Sequence, residues 1–371
     1  MSVNGSLPRM ETAARTERLC ARLQDAPCDA LLVTRLVNIR YLTGFTGSAA
    51  LLLVRPDALV FVTDGRYGEQ SAEQLAAAGV DARIEVSATV AGQQAALQRA
   101  TIGLARLGLE AESVTWAQQR RFASDWFPDA ELVPTAGLVE DLRREKDVGE
   151  VARIEAAAAA ADHALAQIRP LLTERPEERE VAIALEIEMR KAGASGPSFE
   201  TIVAAGPNGA KPHARPSARR VERGELVVID FGAVVDGYCS DMTRTVCLGE
   251  PASATARRMV EVVSESQRAG VAAVAAGVTG KTVDETCRAV IAEAGWADAF
   301  VHGTGHGVGL EIHEAPRVSS ASTDTLAPGD VVTVEPGVYL PDEGGVRIED
   351  TVIVTESGCR PLTHAPKDLV L

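Results

Sequence analysis

The 371 residues contain no apolar run near the ~20 positions that a membrane-spanning helix needs. The first thirty, MSVNGSLPRMETAARTERLCARLQDAPCDA, lack the apolar segment of an export signal, so a cytoplasmic location is expected. Basic charge is also scarce: 37 Lys and Arg face 52 Asp and Glu, a formal net charge of -15 that repels phosphate backbones and anionic lipid. Nucleic acid and membrane surfaces are thereby excluded as partners. Cysteine is thin: Cys20, Cys28, Cys239, Cys247, Cys287 and Cys359 are scattered, without the density of a secreted disulfide framework and without a CxxC pair. Reduced thiols fit, and a thiolate zinc site does not. Also missing are a GK[ST] and a GxGxxG between strand and helix, so the glycines do not build a phosphate loop.

What is present is length enough for two domains. From residue 29, short apolar runs (DALLVT, SAALLLV, DALVFVTDG) alternate with helical stretches such as EQSAEQLAAAG, the pattern of an α/β domain. The charged stretch EDLRREKDVGE then gives way to a long alanine-rich helix, which places a boundary near Lys146 and divides the chain into 1–145 and 146–371. Beyond it the pattern predicts helices near 148–168, 177–192, 254–276 and 281–294, a strand in FETIVAAG and a strand-rich end, an α+β domain. No repeat and no low-complexity linker interrupts it.

Three segments carry chemistry. In VVIDFGAVVDGYCSDMTRT two β-type runs flank Asp236-Gly237, the strongest short hairpin signal. A two-residue loop there pairs Asp230 with Thr243 and sets Asp241 opposite Gly232, so both carboxylates face one side as diagonal neighbours. Bare carboxylates brought together call for a cation. On this segment alone, Asp241 reads equally well as a surface residue beside the turn. The second segment, HGTGHGVGLEIHE, gathers three of the six histidines, His302, His306 and His313, among four glycines that permit close backbone approach. His163 and His364 stand alone and read as satisfied core residues. The third, VVTVEPGVYLPDEGGVRIEDT, sets Glu335 and Glu349 in apolar β-type runs, where Arg347 and Glu349 at i and i+2 of one strand read as a plain salt bridge. Together Asp230, Asp241, Glu335, Glu349 and His306 make four carboxylates and an imidazole, whose charge matches two divalent cations.

These segments, in this order, together with NIRYLTGFTGS and DGRY near the start, resemble the pita-bread metallopeptidases in their Xaa-Pro branch, prolidase and aminopeptidase P. The resemblance implies a creatinase-like α/β N-terminal domain over 1–145 and an α+β pita-bread catalytic domain over 146–371. It implies Asp230, Asp241, His306, Glu335 and Glu349 as ligands of two divalent ions per subunit, with Asp241 and Glu349 bridging. Manganese is the first choice, with cobalt, zinc and iron compatible. It assigns His213, His302 and His313 to the substrate pocket and Arg347 to a place beside the bridging glutamate. The expected activity is hydrolysis of the bond between an N-terminal residue and a following proline in small peptides. Glu335 would take the proton of the attacking water and His313 would hydrogen-bond the developing oxyanion. Arg317, directly after HEAP, could meet the carboxylate of a dipeptide, a lean toward dipeptidase over aminopeptidase. The intact ligand set argues against creatinase, and the family habit implies a homodimer. A metal-dependent hydrolase of another amide or ester is the alternative, and a non-catalytic binding module the reading least supported.

Overall fold

The computed structural model describes residues 7–371. Among them no disulfide is formed, and no helix is long and apolar enough to cross a membrane. Two units separate, Arg9–Arg143 and Arg144–Leu371, the latter with Pro8.

In the first unit the apolar runs become the central strands of a six-stranded sheet, in the order Arg83–Val86, Leu59–Thr63, Ala50–Val54, Ala30–Val33, Arg106–Glu110, Glu131–Thr135. The Ala50–Val54 strand runs antiparallel to both its neighbours, and the remaining pairs are parallel. Ala30–Val33 is buried at all four positions, so the run is continuously apolar instead of alternating. Leu32, Leu53 and Val62 pack with Ala96 and Leu97 of the helix Val90–Ala100 and with Phe122 and Trp126.

The second unit has two helix pairs, each over its own apolar core. The alanine-rich helix Val148–Leu172 starts on a capping box, in which Asp147 accepts from the Glu150 N–H and Glu150 from the Asp147 N–H. Ala157, Ala160, Ala161 and Ala164 have no side-chain entropy to lose and bring it close to the helix Glu178–Lys191 and the strands Ile202–Ala205, Leu226–Phe231 and Met242–Cys247. The second pair, Ala254–Ala273 and Gly280–Glu293, shares a core with Val332, Val334, Val352 and Val354 of a five-stranded sheet. That sheet runs Glu314–Val318, Gly305–Gly307, Val331–Val334, Asp350–Thr355, Gly358–Pro361. A two-stranded ribbon, Gly337–Leu340 with Gly344–Arg347, packs against the strands Leu226–Phe231 and Met242–Cys247.

Two sequence expectations change here. Arg347 and Glu349 do not share a strand, because Gly344–Arg347 pairs in the ribbon while Asp350–Thr355 belongs to the five-stranded sheet. His163 and His364 are exposed and are not core residues.

Candidate metal centre

The hairpin forms in the expected register. Val235 pairs with Tyr238 around Asp236 (φ 43°) and Gly237 (φ 78°), the two left-handed residues of a primed turn, and Asp230 pairs with Thr243. Glu349 follows the ribbon, its N–H donating to the Thr243 carbonyl at 3.1 Å. Ligand-type oxygens of Asp230, Asp241 and Glu349 lie within 4.8 Å of one another. The glycines around His306 act as expected: a Cβ on Gly305 would stand 2.0 Å from the Thr333 carbonyl oxygen, so only glycine lets the strand lie this close. His306 Nε2 thereby sits 3.5 Å from both Asp241 Oδ2 and Glu335 Oε1. Its Nδ1 faces the Gly307 carbonyl at 3.0 Å, which takes the ring N–H and leaves the Nε2 lone pair toward the carboxylates.

The electrostatics are severe. Burial, then repulsion from Glu349, Asp230 and Glu335, pushes the Asp241 carboxyl well above the ordinary range. Burial, then repulsion from Glu335 and Asp230, does likewise to Glu349. Burial lifts Glu335 to about 8, although Arg347 opposes it. Burial holds His306 at about 4, neutral at pH 7. Asp230 Oδ1 and Glu349 Oε1 are buried without a hydrogen-bond partner among the described residues. Such atoms are rare because each forfeits its hydration. An oxygen-rich cluster with one imidazole, two orphaned carboxylate oxygens and no sulfur suits hard or borderline divalent ions.

Other predicted residues line the same cleft, of about 620 Å³: His213, His302, His313, Arg317 and Arg347. Arg347 reaches Asp230 Oδ2 at 2.6 Å, and not Glu349, so the expected plain salt bridge goes to a different acid. His302 offers no spare nitrogen: Nδ1 meets the Gly303 carbonyl at 2.8 Å and Nε2 the Tyr339 hydroxyl at 2.8 Å, while Tyr339 also accepts from Arg347 Nη1 at 2.7 Å. Burial, with Arg347 beside it, holds His302 at about 4. The His313 ring stands edge-on to His306, 4.3 Å between centroids, and burial with Arg317 lowers its pKa.

Sequence reasoning missed three residues. Tyr339 orients Arg347 and His302, and its one signal was a tyrosine in the buried-looking VYL run, whose hydroxyl needs a partner. Thr243 donates from Oγ1 to Glu349 Oε2 at 2.7 Å, and Thr333 Oγ1 accepts the His306 N–H at 3.1 Å. A threonine on a strand carries no signal that separates these tasks from β-propensity.

Residues 152–356 match metallopeptidase family M24, and residues 15–144 match the creatinase/prolidase N-terminal domain. The chain is 44% identical over 345 residues to an uncharacterized peptidase of Bacillus subtilis, covering 92% of this chain and 96% of the relative. Among solved structures it resembles an Xaa-Pro dipeptidase from Bacillus anthracis (TM-score 0.92, 40% identity, 97% and 100% of the two chains). An X-Pro aminopeptidase from Thermotoga maritima is similar over 96% and 99% of the two chains (TM-score 0.86, 35% identity).

Proposed function

The chain belongs to metallopeptidase family M24, joined to a creatinase/prolidase N-terminal domain, and from that premise we propose that it is a two-metal exopeptidase cleaving the bond between an N-terminal residue and a following proline. The observation that carries this reading is the convergence of Asp230, Asp241 and Glu349 with two carboxylate oxygens left unpartnered. Asp230, Asp241, His306, Glu335 and Glu349 would hold the ions. Aminopeptidases are an established case of this chemistry: the ions, when bound, supply a nucleophile at neutral pH and polarise the scissile carbonyl.

The remaining steps fall to side chains. Glu335 takes the proton of the attacking water, and neutral His313 donates a hydrogen bond to the oxygen that gains charge. Arg347 holds Asp230 in place, which fixes one edge of the ligand set. His213 and the ring of His302 shape the wall where the proline sits, and Arg317 faces the carboxylate of a bound dipeptide. Proline's tertiary nitrogen carries no N–H, so a pocket fitted to its ring favours it over ordinary peptides.

Manganese suits the oxygen-rich donors, with cobalt, zinc or iron as substitutes. We read the domain division as 1–145 and 146–371, which the compact units Arg9–Arg143 and Arg144–Leu371 support. A homodimer and a cytoplasmic location complete the reading, the latter supported by cysteines that form no disulfide among the described residues.

The test is an assay of Xaa-Pro dipeptides and longer Xaa-Pro peptides beside Xaa-Ala peptides and simple esters, with manganese, cobalt and zinc supplied separately. Metal-dependent release of the first residue from Xaa-Pro alone is expected. Turnover of an ester or a non-proline amide with none of Xaa-Pro would overturn the reading in favour of another metal-dependent hydrolase.

A further inference from the structure

The start of the helix Val148–Leu172 carries charged side chains that the chemistry above does not use. Lys146, just ahead of it, is 6% exposed, and its Nζ lies 3.3 Å from Glu314 Oε2. Its backbone N–H donates to the Gly329 carbonyl at 3.1 Å, so the side chain extends from an anchored point. One helical turn on, Glu150 accepts from the Tyr238 hydroxyl at 2.9 Å, and Arg153 Nε donates to Asp236 at 2.6 Å. These contacts brace the hairpin that leads to Asp241.

Burying an ammonium and a carboxylate together is costly and often less favourable than apolar packing of the same volume. Such a pair is better explained by what it orients than by stability. Glu314 directly follows His313. Its Oε1 accepts the Glu311 N–H at 2.9 Å, so a single carboxylate spans the turn 311–314 from inside. The loop closes tightly on that carboxylate: a Cβ on Gly309 would stand 2.6 Å from Glu314 Oε2. Gly307 pairs with Glu314 at a register break after His306, so the same loop connects a proposed metal ligand to His313. Among the described residues no hydrogen bond holds the His313 ring, and the residue is exposed in the cleft. Its aim therefore follows from the loop beneath it together with the edge-on contact to His306.

We propose that Lys146 is a positioning residue that acts through Glu314 to fix the 307–314 loop and aim His313 at the reacting carbonyl. The inference rests on the role given to His313 above. Placement errors of about 1 Å are enough to slow an enzyme by ~10²-fold, so the effect belongs in kcat. Lys146→Met keeps the stem and removes the cation. It is expected to lower kcat roughly 10- to 100-fold, with KM within about twofold and metal content unchanged. In a His313→Ala background the same substitution is expected to leave kcat unaltered, because the group being aimed is gone. Where Lys146→Met alone does not fold, Lys146→Met with Glu314→Gln also removes the buried carboxylate's charge, and its kcat loss is again expected to vanish without His313. Two results overturn the inference alone: normal kcat in Lys146→Met beside a clear His313→Ala deficit, or a Lys146 loss that persists without His313. Full kcat in His313→Ala by itself removes the role of His313 and the inference with it.

Discussion

Glu349 and Asp350 are chain neighbours, 1% and 6% exposed, with opposite surroundings. Asp350 is enclosed by donors: Arg244 Nη2 at 2.9 Å and Thr363 Oγ1 at 3.1 Å on one oxygen, Gln267 Nε2 at 2.9 Å and Lys367 on the other. Burial works against its ionised form, yet Arg244 and Lys367 prevail and its pKa falls. Glu349 has the Thr243 hydroxyl on one oxygen and none of the described residues on the other. Its pKa rises through burial and repulsion. Consecutive residues entering a strand point to opposite faces, so one step along the chain moves from a closed ion-pair network to an open cleft. A buried charge satisfied by its own protein is architecture, whereas one left unsatisfied is matched to something that arrives from outside.

The sharpest way to break this comparison is to neutralise each neighbour in turn. Glu349→Gln is expected to cut peptidase activity by about 10²- to 10³-fold, the scale on which loss of a charge-stabilising group slows hydrolysis. In chelator its melting temperature should equal or exceed the parent's, since a repelling charge is gone. Asp350→Asn leaves the buried Arg244 without its counter-charge. That costs about 3–5 kcal/mol, a melting shift on the order of 10 °C, while turnover of the folded fraction stays within about tenfold. Calorimetry beside steady-state kinetics checks both. Matching melting losses in the two variants would erase the distinction.

A gentler perturbation uses pH. Glu335 at about 8, with Asp241 and Glu349 also raised, contributes stability that is fully present below the ordinary carboxylate range and is lost as pH rises through the folded values. Asp350, lowered, contributes stability present above its ordinary 3.8 and lost as pH falls through its folded value. The chelated protein is therefore expected to lose melting temperature from about pH 7 to about 8, above the range in which the lowered His302, His306 and His313 work in the opposite sense. Saturating manganese should flatten that slope, because a cation favours the ionised ligands. Melts at four pH values, with and without chelator, measure it. A flat profile in chelator would mean that the cluster is relieved by protein groups after all.

The comparison also marks what the sequence could tell. The hairpin was legible because Asp236-Gly237 admits essentially one loop, and a fixed loop determines register and face for Asp230 and Asp241 together. His306 was legible from the glycines that let its strand approach. The Arg347 pairing was not, since GGVRIEDT looks like one strand and the switch between ribbon and sheet at Ile348 and Glu349 leaves no local mark. Lys146 was hidden for a related reason: a charged stretch beside a domain boundary looks solvated, and burial against Glu314, far along the chain, is a tertiary fact.

The smallest expected effect tests the comparison among cations. Arg244 and Arg347 are each 2% exposed and ion-paired, to Asp350 and Asp230. Arg317 lines the cleft exposed, and none of the carboxylates of the described residues lies within ion-pair distance of its guanidinium. Its backbone N–H is fixed by Asp324 at 2.9 Å, so the strand is held while the side chain stays available. Unlike Glu349, an exposed guanidinium is hydrated and needs no partner; under the proposed function it meets the carboxylate of an Xaa-Pro dipeptide, which has the right charge and shape. A bidentate guanidinium–carboxylate contact contributes roughly 1.5–3 kcal/mol, and the lower end corresponds to about tenfold in affinity. Arg317→Ala is expected to raise KM for Xaa-Pro dipeptides about tenfold and to leave Xaa-Pro tripeptides within about twofold, because their carboxylate lies one residue farther from the scissile bond. Steady-state kinetics on matched di- and tripeptides decide it. Equal changes at both lengths would remove the dipeptidase preference and return Arg317 to the solvated surface.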